Sequence, residues 1–203
     1  MKPLCIVQAR MGSTRLPGKV MLEVKGKPLL GYLLERLAYC NVKKVCLAIP
    51  IEDVDSPLGS IAAYTVCGPQ HDVAERFRVA LDGEGCDTFI RICADSPLLD
   101  PALVDAAVAL YEPPYLQINS PVGCVEVCDT AIFLSSLPFL DTHGREHVTT
   151  AMKTRNVVLV AGQPRLVVDY RVDFERVAAV IEKMDRPHTE YGWRECLALL
   201  EDG

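Results

Sequence analysis

The sequence predicts an α/β domain built on a mainly parallel sheet. Three observations carry that expectation. Apolar runs of strand length recur at 4–7, 45–49, 64–67 and 88–93; amphipathic segments separate them; and Pro, Gly or Asp marks most junctions. With 203 residues, 50% hydrophobic and 24% charged, the chain reads as a single domain over 1–203. That length suffices to bury about 70% of the unfolded surface.

Leu4 to Val7 form the first strand, a continuous apolar run ending at polar residues. After Gly26-Lys27-Pro28, leucines at 29, 30, 33, 34 and 37 recur at helical spacing and predict a helix from Pro28 to Tyr39. Val45 to Ile49 is the second strand, closed by Pro50. Residues 52–60 are loop, with a helical turn from Leu58 to Ala63, and Tyr64 to Cys67 is the third strand. Asp72 caps a helix reaching Leu81 that turns Val73, Phe77, Ala80 and Leu81 inward, and Gly83 and Gly85 break it. Thr88 to Cys93 is the fourth strand. Asp100-Pro101 starts a helix striped by Leu103, Val104, Ala107, Val108 and Tyr111, which Pro113-Pro114 stops. Tyr115 to Ile118 and Val125 to Val127 are short strands, and Arg145 to Met152 a short helix. Val157 to Val160 and Leu166 to Val168 are closing strands joined by a turn at 162–164. Asp173 caps a helix through Lys183, and a last helix spans Thr189 to Leu200 with Trp193 in the core or an interface. No internal repeat, low-complexity segment or linker interrupts this order.

Charge and cysteine usage narrow the function. A net charge of -6 leaves no global basic footprint for nucleic acid, so the cations clustered in 10–27 suggest a focused anionic ligand. Nine cysteines, odd in number and with no CxxC spacing, read as free thiols; Cys5, Cys46, Cys67 and Cys93 sit inside apolar runs and are expected to be buried. No apolar run approaches the roughly 18 residues of a membrane span, and the opening residues carry no signal-peptide pattern. A cytoplasmic protein is the expectation.

The stretch directly after the first strand holds Arg10, Gly12, Ser13, Thr14, Arg15, Pro17, Gly18 and Lys19. Glycines permit close backbone approach, small hydroxyls donate hydrogen bonds, and Arg and Lys match phosphate oxygens. Ligands of open α/β sheets lie beyond the carboxyl ends of the strands. The loops 8–19, 68–72 and 94–97 are therefore expected to face one crevice, with a polyphosphate held by the first. A solvated basic turn is the plainer alternative. No GxGxxG follows the first strand, so a dinucleotide site is unsupported. Gly12 to Lys19 imitates a Walker A loop, but five residues separate its glycines, and Val20 stands where that loop needs Ser or Thr.

QARMGSTRLPGKVM (8–21) resembles the amino-terminal signature of the CMP-sialate and CMP-KDO synthetase superfamily of cytidylyltransferases, nearest to its spore-coat polysaccharide cytidylyltransferase-like branch. The resemblance continues through GPQHDVAERF (68–77), RICADSPLLDPALVD (91–105), REHVT (145–149) and VVDYRVDFERV (167–177), covering most of the chain in order. It implies a Rossmann-like nucleotidyltransferase fold, CTP as donor, Mg2+ as cofactor, release of pyrophosphate and a homodimer. Carried over, Gln8, Ala9, Arg10, Gly12, Ser13, Arg15 and Lys19 would bind the nucleotide, and Asp72 and Arg76 would lie near it. Asp95 and Asp169 would hold the metal and, with Arg10 and Lys19, form the catalytic set. Glu126, Glu146 and His147 fall on the acceptor side. Asp95 as a turn residue and Asp169 as a solvated strand end are the structural alternatives; Asp173 reads as a helix cap, and His71 and His188 as surface residues.

The pattern departs from the family at Ala94-Asp95-Ser96, where Gly-Asp-Cys is common, and at Tyr170-Arg171-Val172, where Thr-Pro-Glu stands beside the aspartate. The 119–126 segment is also shorter than the family's acceptor loop. The aspartates survive while the acceptor side is altered, so the acceptor is expected to be an acidic sugar or a small phosphate or phosphonate. Two functions follow from this sequence: an active cytidylyltransferase, or a catalytically degenerate nucleotide-binding module of the same fold.

Overall fold

The computed structural model describes residues 2–152, 156–158 and 165–201. Strands β1 (Leu4–Gln8), β4 (Lys44–Pro50), β5 (Thr65–Gly68), β6 (Thr88–Cys93), β7 (Tyr115–Ser120), β8 (Gly123–Asp129) and β9 (Asn156–Val158) form one sheet in the order β5-β4-β1-β6-β8-β7-β9. β2 (Glu23–Val24) and β3 (Lys27–Pro28) make a separate small ribbon. β1 pairs in parallel with both β4 and β6, placing Gln8 between Ala48 and Cys93. Among the described strands of the large sheet only β8 runs against the rest. The expected mainly parallel α/β architecture holds.

Side-chain alternation in the central strands feeds two apolar layers. Cys5 and Val7 of β1, with Ile90 and Ile92 of β6, face α1 (Leu29–Leu37), α3 (Pro101–Leu110), α6 (Arg171–Lys183) and α7 (Trp193–Glu201). Leu4, Ile6 and Phe89 face the other way, against α2 (Val73–Leu81), α4 (Thr130–Ser136) and the segment after α5 (Thr142–His147). There Phe89 meets Phe77 and Phe133 edge to face at 5.8 and 5.1 Å. Among the described residues no helix is long and apolar enough to cross a membrane.

Asp72 and Asp100 cap as expected, accepting from the backbone N–H groups of Glu75 and Ala102 at 2.8 and 2.9 Å. Other expectations need correction. Asp173 caps α6 from inside its first turn, its Oδ2 accepting from the backbone N–H of Tyr170 at 2.8 Å and of Asp169 at 3.1 Å. The helical turns of the 52–60 region fall at Ile51–Asp53 and Pro57–Gly59, where Ser56 caps and Pro57 opens the second. Arg145 to Met152 is not one helix; α5 ends at His147 and Val148 takes φ 57 before a 3-10 turn, Thr150–Met152. Leu166 to Val168 is no sheet strand; its amides instead donate to Pro121 O at 2.7 Å and Asp95 O at 2.8 Å. The last helix begins at Trp193, after a 3-10 turn at His188–Glu190. The turn at 162–164 and the end of its preceding strand lie outside the described residues. All nine cysteines are free; Cys5 and Cys46 are buried as expected, but Cys67, on edge strand β5, is exposed and Cys93, at the cavity end of β6, is only half-buried.

One buried cation of α1 ties the turn before α7 to the loop after β6. Arg36 of α1 is fully buried, and its guanidinium donates to the carbonyls of Leu99 (2.9 Å), Tyr191 (2.8 Å) and His188. His188, expected at the surface, is drawn in by this contact; its side chain is 10% exposed and its Nε2 lies 2.8 Å from Glu35. Replacing Arg36 with Met strands three carbonyls, each worth about 1–3 kcal/mol when left unpaired. R36M is expected to lose about 3 kcal/mol or more, read as a lower urea midpoint.

Candidate functional site

The carboxyl ends of β1 and β6 open onto a cavity of about 290 Å³, walled by the first loop, the start of α2 and the end of α5. Two of the three expected loops meet there, represented by Gln8 to Lys19 and by Ala94 and Asp95. The third contributes through α2 beyond it, with Val73 and Arg76.

The first loop is closed on itself and tied to its neighbour. Met11 O accepts from the N–H groups of Ser13 and Gly18, both at 2.9 Å, while Met11 N–H donates to Asp53 Oδ2 at 2.8 Å. Gly18, at φ 68, turns the chain into the short 3-10 helix Lys19–Met21. A side chain there would be strained, so glycine sets the direction of Lys19.

Lys19 is the meeting point of the site. Its Nζ donates to Asp95 Oδ2 at 3.0 Å, to Asp169 Oδ1 at 3.0 Å and to Val168 O at 2.6 Å. Its side chain is 11% exposed, against 22% for Asp95 and 27% for Asp169. Three donors meet three acceptors, so the ammonium is saturated. Asp169 Oδ1 also accepts from Arg15 Nη2 at 2.7 Å. The aspartates thus converge, as the resemblance implied. Lys19, expected on the triphosphate, is held by that pair.

Both aspartates are fixed by their backbones. Ala94 N–H donates to Gln8 O at 3.0 Å, which docks the 94–97 loop on β1. Gly123, at φ 146, lets the β7–β8 turn approach that loop; a Cβ there would sit 2.7 Å from Ser96. Asp173 holds the Asp169 amide, and Arg176 in turn donates to Asp173 at 3.0 Å.

Two arginines line the floor. Arg76 is 2% exposed, and its Nε and Nη1 have no partner among the described residues. Burial, and then the Arg10 charge, lowers its pKa from 12.5 to about 10. Buried donors without acceptors are rare and costly, which marks Arg76 as a group awaiting a ligand atom. Arg91 is held on both sides. Its Nε donates to Gln8 Oε1 at 2.9 Å, and its Nη1 pairs with Glu126, the residue directly opposite on β8. Glu126 also accepts from the Tyr115 hydroxyl and, at 2.8 Å, from Thr149 Oγ1. Burial opposes both charges. It is outweighed for Glu126 by Arg91 and the Tyr115 hydroxyl, which hold its carboxyl below the ordinary 4.5. Cys93 and Glu126 likewise hold the Arg91 pKa above the ordinary arginine value.

Of the residues expected in the site, Gln8, Ala9, Arg10, Ser13, Arg15, Lys19, Arg76, Asp95, Glu146 and His147 line the cavity. Arg10 Nη2 lies 3.8 Å from Glu146. Asp169 adjoins the cavity through Lys19 and Arg15. Gly12 and Asp72 stand off its wall: a Cβ on Gly12 would face Gln70 at 3.4 Å, and Asp72 Oδ2 accepts from Arg145 at 2.6 Å. Glu126 is corrected from an acceptor-facing group to a buried partner of Arg91, because β8 places it behind that side chain. Thr14 lines it too, within the loop expected to hold phosphate, whereas Arg91, Val73 and Cys93 are additions that the sequence does not assign to the site. The one signal was Arg91 itself, a cation inside the apolar run of β6.

A family model described as cytidylyltransferase matches residues 4–132. The spore coat polysaccharide biosynthesis protein SpsF of Bacillus subtilis is 28% identical over 214 residues, covering 91% of this chain and 88% of that protein. A 3-deoxy-manno-octulosonate cytidylyltransferase of Acidobacterium capsulatum is 30% identical over 127 residues; the match covers 61% of this chain and 52% of that relative. A solved cytidylyltransferase of Leptospira borgpetersenii superposes with a TM-score of 0.89 at 23% identity, over 100% of this chain and 94% of that one, which shows a shared fold.

Glu126→Gln removes one partner of a buried ion pair and leaves Arg91 uncompensated, a change expected to cost about 3 kcal/mol at pH 7. The folded-state pKa of Glu126 is depressed, so its ionic stabilisation is full above the unfolded value and lost as pH falls through the folded one. Melting curves should therefore show the gap between wild type and E126Q narrowing as pH drops below about 4.5.

Proposed function

The chain belongs to the cytidylyltransferase family, a nucleotidyltransferase family, and on that premise we propose that it transfers CMP from CTP to a small anionic acceptor. The acceptor is an acidic sugar or a small phosphate or phosphonate, pyrophosphate is the leaving group and Mg2+ the cofactor. The observation that carries this reading is the convergence of Asp95 and Asp169 on one cation at the wall of an arginine-lined cavity.

The donor set suits a hard divalent ion. Two carboxylates point at one position that already accommodates a positive charge, the Lys19 ammonium, and Mg2+ favours one or two carboxylates completed by phosphate oxygens. Asp95 and Asp169 would hold the ion, which neutralises phosphate charge and orients the reacting oxygens. Arg10, Arg15, Lys19 and the amides of the first loop hold the triphosphate and stabilise charge developing on the departing pyrophosphate. Ser13 lies within that loop with its hydroxyl near the Leu16 amide, at 3.4 Å. Arg76 offers its unpaired donors to the nucleotide. Gly12 and Asp72 act on it through the loop and the α2 cap rather than by contact.

In the transfer an acceptor oxygen bonds to the α-phosphorus while the bond from that phosphorus to the bridging oxygen breaks. No protein nucleophile is needed, in keeping with a cavity cysteine, Cys93, whose thiol burial pushes up to about 12. Glu146 and His147, on the α5 side, line the space left for the acceptor. An acidic-sugar acceptor draws support from the octulosonate relative, and a polysaccharide precursor as product from SpsF. CTP as donor and nine free thiols suit a cytoplasmic enzyme.

Incubation with CTP, Mg2+ and a panel of sugar acids, phosphate monoesters and phosphonates should release pyrophosphate with at least one acceptor. D95N is expected to lower that release about a thousandfold with an unchanged circular dichroism spectrum; undiminished turnover would remove Asp95 from the mechanism. In thermal-shift titrations CTP should stabilise the protein more than UTP, GTP or ATP. Equal shifts for all four would refute CTP as the donor.

A further inference from the structure

Lys19 and a divalent ion cannot hold the same position. The ammonium stands 3.0 Å from Asp95 Oδ2 and 3.0 Å from Asp169 Oδ1, with its third donor on Val168 O at 2.6 Å. A metal bridging those two oxygens lies about 2.1 Å from each, inside the space of the nitrogen and repelled by its charge. We infer that Lys19 is a built-in competitor for the metal position: ion entry displaces its ammonium, and the displaced ammonium moves to the triphosphate. This rests on the proposed assignment of Asp95 and Asp169 as metal ligands.

The surroundings give the displaced group somewhere to go. Lys19 lies in the same cavity as Arg10, Ser13 and Arg15, so a triphosphate bound to that loop offers oxygens within the sweep of a four-carbon side chain. Leaving the carboxylates without a new counter-charge would be unfavourable for a side chain that is 11% exposed. Metal and nucleotide therefore bind as one unit, each removing the obstacle to the other. Arg15, the second cation on Asp169 Oδ1, is 49% exposed and lies over the Tyr170 ring, 5.2 Å from its centroid, at the solvent side of the pair. The rival geometry is an ion held through Asp95 Oδ1 and Asp169 Oδ2. Among the described residues Asp169 Oδ2 has no hydrogen bond and Asp95 Oδ1 only a 3.4 Å contact from Ser96, and such an ion would leave Lys19 in place.

The test is Mn2+ binding to the full chain without nucleotide, followed by calorimetry and by the loss of the free-ion electron paramagnetic resonance signal. Wild type, K19Q, K19R and D95N are compared after melting curves establish that each is folded. K19Q should bind Mn2+ about tenfold more tightly than wild type, a coupling of ordinary size. K19R keeps a cation at the site and should stay as weak as wild type, while D95N loses the ion. Wild type binding Mn2+ as tightly as K19Q, with D95N still losing it, would overturn the competition and leave the metal-ligand reading standing. Equal binding by all four, D95N included, would overturn both.

Discussion

One ammonium group joins three distant parts of this chain. Lys19 lies 76 residues from Asp95 and 150 from Asp169, yet its nitrogen touches both carboxylates and the Val168 carbonyl. Each arm depends on a separate device. Gly18 turns the first loop so that Lys19 enters the cavity, Gly123 gives the Asp95 loop its room, and Asp173 grips the Asp169 amide from within α6. The result is a charge balance of two carboxylates against one saturated ammonium.

The cavity floor rests on a different constraint, the change from core to solvent at the end of the sheet. Along one face, Leu4, Ile6 and Phe89 are core, while Gln8 and Arg91, one step further along or beside them, are polar. Glu126 meets Arg91 across the β6–β8 pair and is itself bonded by Tyr115 and Thr149. This row seals the apolar layer beneath the cavity and fixes one guanidinium in a single orientation.

Three arginines, Arg36 and Arg76 buried and Arg91 half-buried, show how context assigns a role. Arg36 satisfies three carbonyls and serves the fold. Arg91 is neutralised by a carboxylate and shapes the floor. Arg76 is 2% exposed, but its Nε and Nη1 have no acceptor among the described residues, and an unfavourable feature of that kind belongs where a ligand completes it. The family's transfer chemistry fits such a floor, because charge that develops on phosphate oxygens is stabilised by donors already in place.

Much of this was legible in the residues alone. A short apolar run marked β6, which is buried on both faces, and three-to-four-residue spacing marked α2 and α3, which each bury one apolar face; the motif in 8–21 pointed to the family, and the strand-end rule placed Asp95 beside the first loop. Other features depend on contacts between residues far apart in sequence. Nothing near Lys19 says that it would bridge Asp95 and Asp169 rather than stand free, and Glu126 was misplaced because its partner is set by the antiparallel register of β8. His188 was read as a surface residue until Arg36 claimed its carbonyl. Local spacing records which face of an element is apolar. Which charge ends beside which is decided by packing, because ion pairs and buried donors are settled only when the strands are in register.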